Sequence, residues 1–325
     1  MVAWDALDAL SHQFELCKID SATRVAVVVD DTSRPEHVTL TATALQRSQA
    51  TALEVRVIAH GAEASTHDLL PSVLESADVI ITTGETRPEL LTATNQLLHL
   101  ANISPETFAS HVNLRRRTHH LHETVRTATM MTIEDTNGTA LRVDLAGGLV
   151  AGDHGLIDEN HRRATFPAGW VAVTPAATRV SGDLVLMPGD ANHETGRLIG
   201  SPVRLRIIDD HVAEIQGDSG DADLVRAVFE YANDPAAYGI AEVSIGLNPG
   251  PPATGVFDDR LLDPVISRLL AGTVTISFGE NLVADRPANQ HVTFALPARS
   301  VTVDDLVVCR AGVLQGDVAP DIYEL

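Results

Sequence analysis

The stretch Val25-Ala26-Val27-Val28-Val29-Asp30-Asp31-Thr32-Ser33-Arg34-Pro35 decides how the first part of the chain is read. Five consecutive apolar residues, four of them β-branched, suit a strand buried on both faces, as in a parallel sheet. Asp30 to Ser33 then offers N-cap side chains, and Pro35 suits the first turn of a helix running to about residue 48. Asp30 and Asp31 fall at the carboxyl end of the strand, where open α/β sheets bind ligands, although capping is their simpler role. Working outward, Val2, Trp4, Leu7, Leu10 and Phe14 recur at helical spacing over residues 2–17. Strands at residues 53–58 and 78–83, with helices near 66–76 and at about 87–100, continue the alternation. The pattern predicts a doubly wound α/β domain over residues 1–126.

From about residue 127 the texture changes. Residues 130–134 and 140–145 flank Asn137-Gly138, a strong short hairpin signal. Turns follow at Gly182-Asp183, Pro188-Gly189 and Asp209-Asp210, with helices expected only at 221–233 and 259–271. Residues 127–325 therefore read as a β-rich α+β domain. The 325 residues carry 44 Asp and Glu against 23 Lys and Arg, a formal charge of −21. Such acidity argues against nucleic acid as a partner, which needs a basic stripe. No run approaches the length of a membrane span, and the first residues lack the order of a signal peptide, so a cytoplasmic protein without membrane contact is expected. Cys17 and Cys309 lie too far apart in sequence to suggest a zinc knuckle or a disulfide framework. No Gly-x-Gly-x-x-Gly follows the first strand and no Gly-Lys-Ser/Thr loop occurs, which leaves dinucleotide and P-loop binding unsupported. The one basic cluster, Arg115-Arg116-Arg117 with His119, His120 and His122, reads as a solvated helix face. His154, Glu159 and His161 carry ligand chemistry without ligand spacing and read as a surface loop.

Three segments near the C-terminus are more informative. Around Glu242, the residues Val243, Ile245 and Leu247 point one way, and Glu242, Ser244 and Asn248 the other. The same alternation puts Thr273, Thr275 and Ser277 on one face of the next segment and pairs His291 with Thr293 in the third. Each has a dry face and a polar face. Glu242 and His291 are the members able to ligate a metal or to act as acid and base.

These residues resemble the C-terminal part of the aminopeptidase T-like metallopeptidases and of 2,5-dihydroxypyridine dioxygenase, which share a fold. The shared pattern is an acidic residue before Gly-x-Gly-x-Asn-Pro, then Gly-Thr-x-His-Ile-x-x-Gly, then Ser-x-x-His-x-Asp and a closing hairpin. Here it reads Glu242-Val-Ser-Ile-Gly-Leu-Asn248-Pro249, Gly272-Thr273-Val-Thr275 to Gly279, Asn289-Gln-His291-Val-Thr293, and Ser300 to Asp305 before Gly312; Leu186-Met-Pro-Gly189-Asp190 matches an earlier Pro-Gly-Glu segment. The likeness covers residues 183–317 well and the N-terminal part only in layout. It implies ligand positions at Asp190, Glu242, Thr275, His291 and Thr293, of which two are threonine. A neutral hydroxyl is a poor divalent-metal ligand beside carboxylate or imidazole, so a two-metal peptidase centre is not expected. What the resemblance implies instead is one divalent metal, Fe(II) before others, on His291 and Glu242 with Asp190 or His193 completing the shell, or no metal at all.

Three readings stay open on this basis. One is a mononuclear dioxygenase-like enzyme acting on a small hydroxylated aromatic or N-heterocyclic compound, with Thr275 and Thr293 orienting substrate or water. Another is a hydrolase or lyase that uses His291 and Glu242 as acid and base. The third is a non-catalytic, ligand-binding member. The resembling proteins also imply a homodimer or larger assembly.

Overall fold

The computed structural model describes residues 4–57, 74–84, 95–103, 113–250 and 259–321. They fall into two compact units, Met1–Arg115 with Asp153–Ala168, and Arg116–Gly152 with Gly169–Leu325. The architecture is a parallel α/β sheet in the first unit and two largely antiparallel sheets in the second.

In the first unit, α1 (Trp4–Leu16) buries Leu7, Leu10 and Phe14, the face its spacing predicts. Strand β1 (Arg24–Val29) is buried from Val25 onward, and α2 (Pro35–Ser48) follows with proline in its first turn. Strands β2 (Thr51–Arg56) and β3 (Val79–Thr83) flank β1, both parallel to it. The helix expected near 66–76 falls almost wholly outside the described residues. The one expected at about 87–100 is corrected at its C-terminal end, because Gln96–Leu100 forms strand β4, parallel to β3. Leu97, Leu98 and Leu100 favour a helix intrinsically, but pairing within a sheet covered on both faces overrides that preference. A fifth parallel strand, β8 (Arg163–Phe166), extends the order to β2-β1-β3-β4-β8. Residues 153–168, beyond the boundary expected near 126, group with the first unit, and Arg163–Phe166 among them joins its sheet.

In the second unit, β5 (Met130–Glu134) and β6 (Ala140–Asp144) form the predicted hairpin, and Gly138 adopts φ +107° in its turn. They sit centrally in an eight-stranded antiparallel sheet that also holds β10 (Val180–Leu186), β13 (Val203–Ile208) and β18 (Ser300–Val303). The second sheet has seven strands. Its middle is β17 (Val292–Leu296), β16 (Val274–Phe278), β15 (Ile240–Gly246) and β9 (Trp170–Thr174), and β11 (Ala191–Asn192) lies beyond β17. Helix α3 (Leu114–Thr127) carries the basic cluster, and α4 (Gly220–Ala232) packs Phe229 against Phe278 and Phe294, with ring centroids 5.4 and 6.5 Å apart. Those rings come from the dry face of β16 and β17, which fixes the opposite face as the polar one. The 259–271 helix is observed as a 3-10 turn, Asp259–Leu262, followed by α5 (Pro264–Leu269). Among the described residues, no helix is long and apolar enough to cross a membrane.

Candidate active site

Cross-strand partners in an antiparallel sheet project from the same face. The register aligns Glu242 with Ser277 and Ser277 with Thr293 in one row, and Ser244 with Thr275 and Ala295 in the next. The polar face is real, and its inner row is dry. Ser244 Oγ and Thr275 Oγ1 lie 2.6 Å apart and are both buried, while Ser277 Oγ and Thr293 Oγ1 lie 3.0 Å apart nearer the surface. Burial costs these hydroxyls little, because each finds a partner on the neighbouring strand.

A short helix lies against this face. Asp263 caps α5 by accepting hydrogen bonds from the Val265 and Ile266 amides, and Leu261 and Leu270 pack on Ala191 and Ala295. Gly246 permits the approach, since a Cβ there would sit 2.1 Å from the Leu270 carbonyl oxygen. Helix α5 delivers Arg268. Its Nη2 is 2.8 Å from Glu242 Oε1, and its guanidinium carbon stands 3.9 Å from the centroid of Trp170, a cation-over-ring contact. Trp170 pairs with Gly246, so register puts the indole on the same polar face. Glu242, Arg268, Ser277 and His291 line one cleft of about 370 Å³, rimmed by the exposed Leu282 and Val283.

The structure thus brings Glu242 and His291 to a common cleft, with no hydrogen bond or ion pair between them. The other expected ligands are occupied elsewhere. Asp190 is buried and held by Arg299, 2.5 Å from Nη2, and Arg299 Nε also lies 3.1 Å from Asp135. Burial, with the second carboxylate adding to it, raises the Asp190 carboxyl to about 6 against the pull of Arg299. His193 Nε2 lies 3.1 Å from both the Leu261 carbonyl and Ser267 Oγ, and burial lowers its pKa. Glu194 accepts a hydrogen bond from the Thr293 amide. A non-haem iron centre needs about three protein ligands on one side of the ion. Among the described residues, no three carboxylate, imidazole or thiol groups converge in that way. Glu242 and His291 with two paired threonines do not make a donor set for such a metal.

Residues set aside on sequence grounds also find places. Asp30 does not cap α2, whose N-cap is Arg34; its Oδ1 instead accepts from the Thr32 amide and hydroxyl, closing the strand-to-helix turn. Of the basic cluster, Arg115 pairs with Asp158 while Arg117 is fully buried, so that face is only partly solvated. Cys17 and Cys309 are free buried thiols, each pushed up to about 11 by burial. Arg268 and Trp170 were not legible as site residues. The only available signal for Arg268 was that it is the single basic residue of the 264–269 helix.

A family model for 2,5-dihydroxypyridine 5,6-dioxygenase matches residues 5–316. The chain belongs to this family. A 2,5-dihydroxypyridine 5,6-dioxygenase of Pseudomonas putida KT2440 is 26% identical over 95% of this chain and 95% of its own. The solved structure of a 2,5-dihydroxypyridine dioxygenase from the same organism superposes with a TM-score of 0.82 over 95% of this chain and 96% of that one, at 24% identity, which establishes a common fold. The chain resembles the dioxygenase family along nearly its whole length, including the N-terminal unit where the motifs are weakest.

Proposed function

We propose that this protein is an oxygen-consuming enzyme acting on a small hydroxylated aromatic or N-heterocyclic compound in the cleft of the second unit. The family match over residues 5–316 carries this reading. The cleft supplies what ring chemistry asks of a protein: an apolar rim, a cation, a carboxylate and an accessible imidazole. His291, exposed at the end of β17, is positioned to take the proton of a ring hydroxyl as the ring becomes electron-rich. Ser277, tied to Thr293, borders the same space, while Thr275 supports it from the row behind through Ser244. Attack of dioxygen on a ring calls for a metal or another redox group. Glu242 and His291 do not complete a shell for one, so the roles assigned to this chain are ring binding and proton transfer.

The test is oxygen uptake by the purified chain with 2,5-dihydroxypyridine and related dihydroxylated rings, with and without added Fe(II). Uptake coupled to ring consumption is expected, with His291→Ala lowering kcat by about 10²-fold or more. Absence of uptake with every ring under both conditions overturns the reading.

A further inference from the structure

We propose that Arg268 and Glu242 together form a specificity clamp for the lactam edge of an N-heterocycle. The proposal takes the cleft as the substrate site, as above, but departs from the expectation that Glu242 serves a metal. A ring with a hydroxyl next to its nitrogen populates the lactam tautomer, which presents an N–H donor beside a C=O acceptor. The clamp offers the complement: a guanidinium that only donates beside a carboxylate that only accepts. The two are adjacent, with Nη2 and Oε1 2.8 Å apart. Beyond that ion pair, neither side chain has a hydrogen bond to a described residue, and both line the cleft, at 33% and 27% exposed.

Three features hold the pair ready. Trp170 covers the guanidinium from one side, α5 fixes its stem through the Asp263 cap, and Glu242 stands on a central strand. A pre-set donor and acceptor lose little entropy on binding, and they penalise a ligand lacking either partner because the charged group is then desolvated without compensation. The same arrangement explains why Glu242 is not free for a cation: a positive charge already sits against it. A surface ion pair without function would need neither the stacked indole nor the cleft.

The experiment uses the full chain with Trp4→Phe, so that Trp170 fluorescence reports on the cleft. It is titrated with 2-pyridone, N-methyl-2-pyridone, which lacks the N–H, and phenol, which lacks the lactam. Preference for 2-pyridone over both by at least about tenfold is expected, the size of one lost hydrogen bond to a charged group. Arg268→Met and Glu242→Leu should each erase that preference, whereas Glu242→Gln, which keeps an acceptor and guards against misfolding, should retain most of it. Equal affinity for 2-pyridone and its N-methyl derivative overturns the clamp. So does a preference that survives both variants, or 2-pyridone binding that needs a divalent metal held by Glu242. Oxygen uptake is measured in parallel: preference without uptake removes the oxygenase reading and leaves the clamp, and uptake without preference does the reverse.

Discussion

At the scale of single residues, the clearest division is between Asp190 and Glu242, two carboxylates that the resemblance treats alike. Asp190 is 2% exposed and shares Arg299 with Asp135, so one cation faces two buried anions. This is a structural knot joining the strand ends of the second unit, and breaking it leaves uncompensated charge. Arg299→Met should destabilise the protein by about 3–5 kcal/mol, while Asp190→Asn should cost far less, because one anion then remains for one cation. Urea midpoints of the two variants check this, and equal losses would refute it. The polar face that carries Glu242 and leads to His291 was legible, because period-2 alternation along each segment marks it and the strand register bears it out. The buried pairing of Asp190 was not legible because its partner, Arg299, is more than a hundred residues away, and alternation within one segment is blind to such a partner. Arg268 was missed for a related reason: its meaning comes from Trp170 and Glu242, which reach it through sheet register and not through sequence spacing.

At the scale of elements, the strands and helices flanked by strong turn chemistry were readable, as the Asn137-Gly138 hairpin and the β1-to-α2 unit show. Gln96–Leu100 was not, because a leucine-rich run satisfies a helix and a doubly covered strand equally well, and only β3 and β8 on either side decide between them. Helix α5 was readable as a helix, but its role follows from what lies beneath it. With only six residues it has little stability of its own, so the Asp263 cap and the close passage over Gly246 hold it in place. Asp263→Ala should cost about 1 kcal/mol. Gly246→Ala should cost more, about 1–3 kcal/mol, because a Cβ there overlaps the Leu270 carbonyl and pushes the segment off the sheet. Both should weaken 2-pyridone binding as Arg268 loses its seat. Gly246→Ala with unchanged stability and binding would show that the segment is not held as described.

At the scale of the whole molecule, stability should depend on pH through its buried and half-buried histidines. His37, His99 and His193 are lowered by burial, and His154 falls to about 4 through burial, with the neighbouring His161 ring, its centroid 4.4 Å away, adding to the effect. A histidine whose folded pKa lies below its unfolded value of about 6.5 takes up its proton more readily when unfolded. Its contribution to stability is therefore complete above about pH 6.5 and is lost as pH falls from there towards the folded value. Asp190 acts in the opposite direction: raised to about 6, it favours the folded state at low pH and withdraws that support as pH rises through 6. Asp78 and Glu123, held at about 2 by Arg24 and Arg126, keep their contributions until pH drops below their unfolded values, outside this window. Glu194, also raised by burial, acts in the same direction as Asp190, so four histidines stand against two carboxyls and give a net loss of stability on acidification from pH 7.5 to 5. Urea midpoints across that range should fall, His154→Asn should flatten the slope, and Asp190→Asn should steepen it by removing an opposing group. A midpoint that stays level in Asp190→Asn would mean that the histidines are not buried in their neutral form.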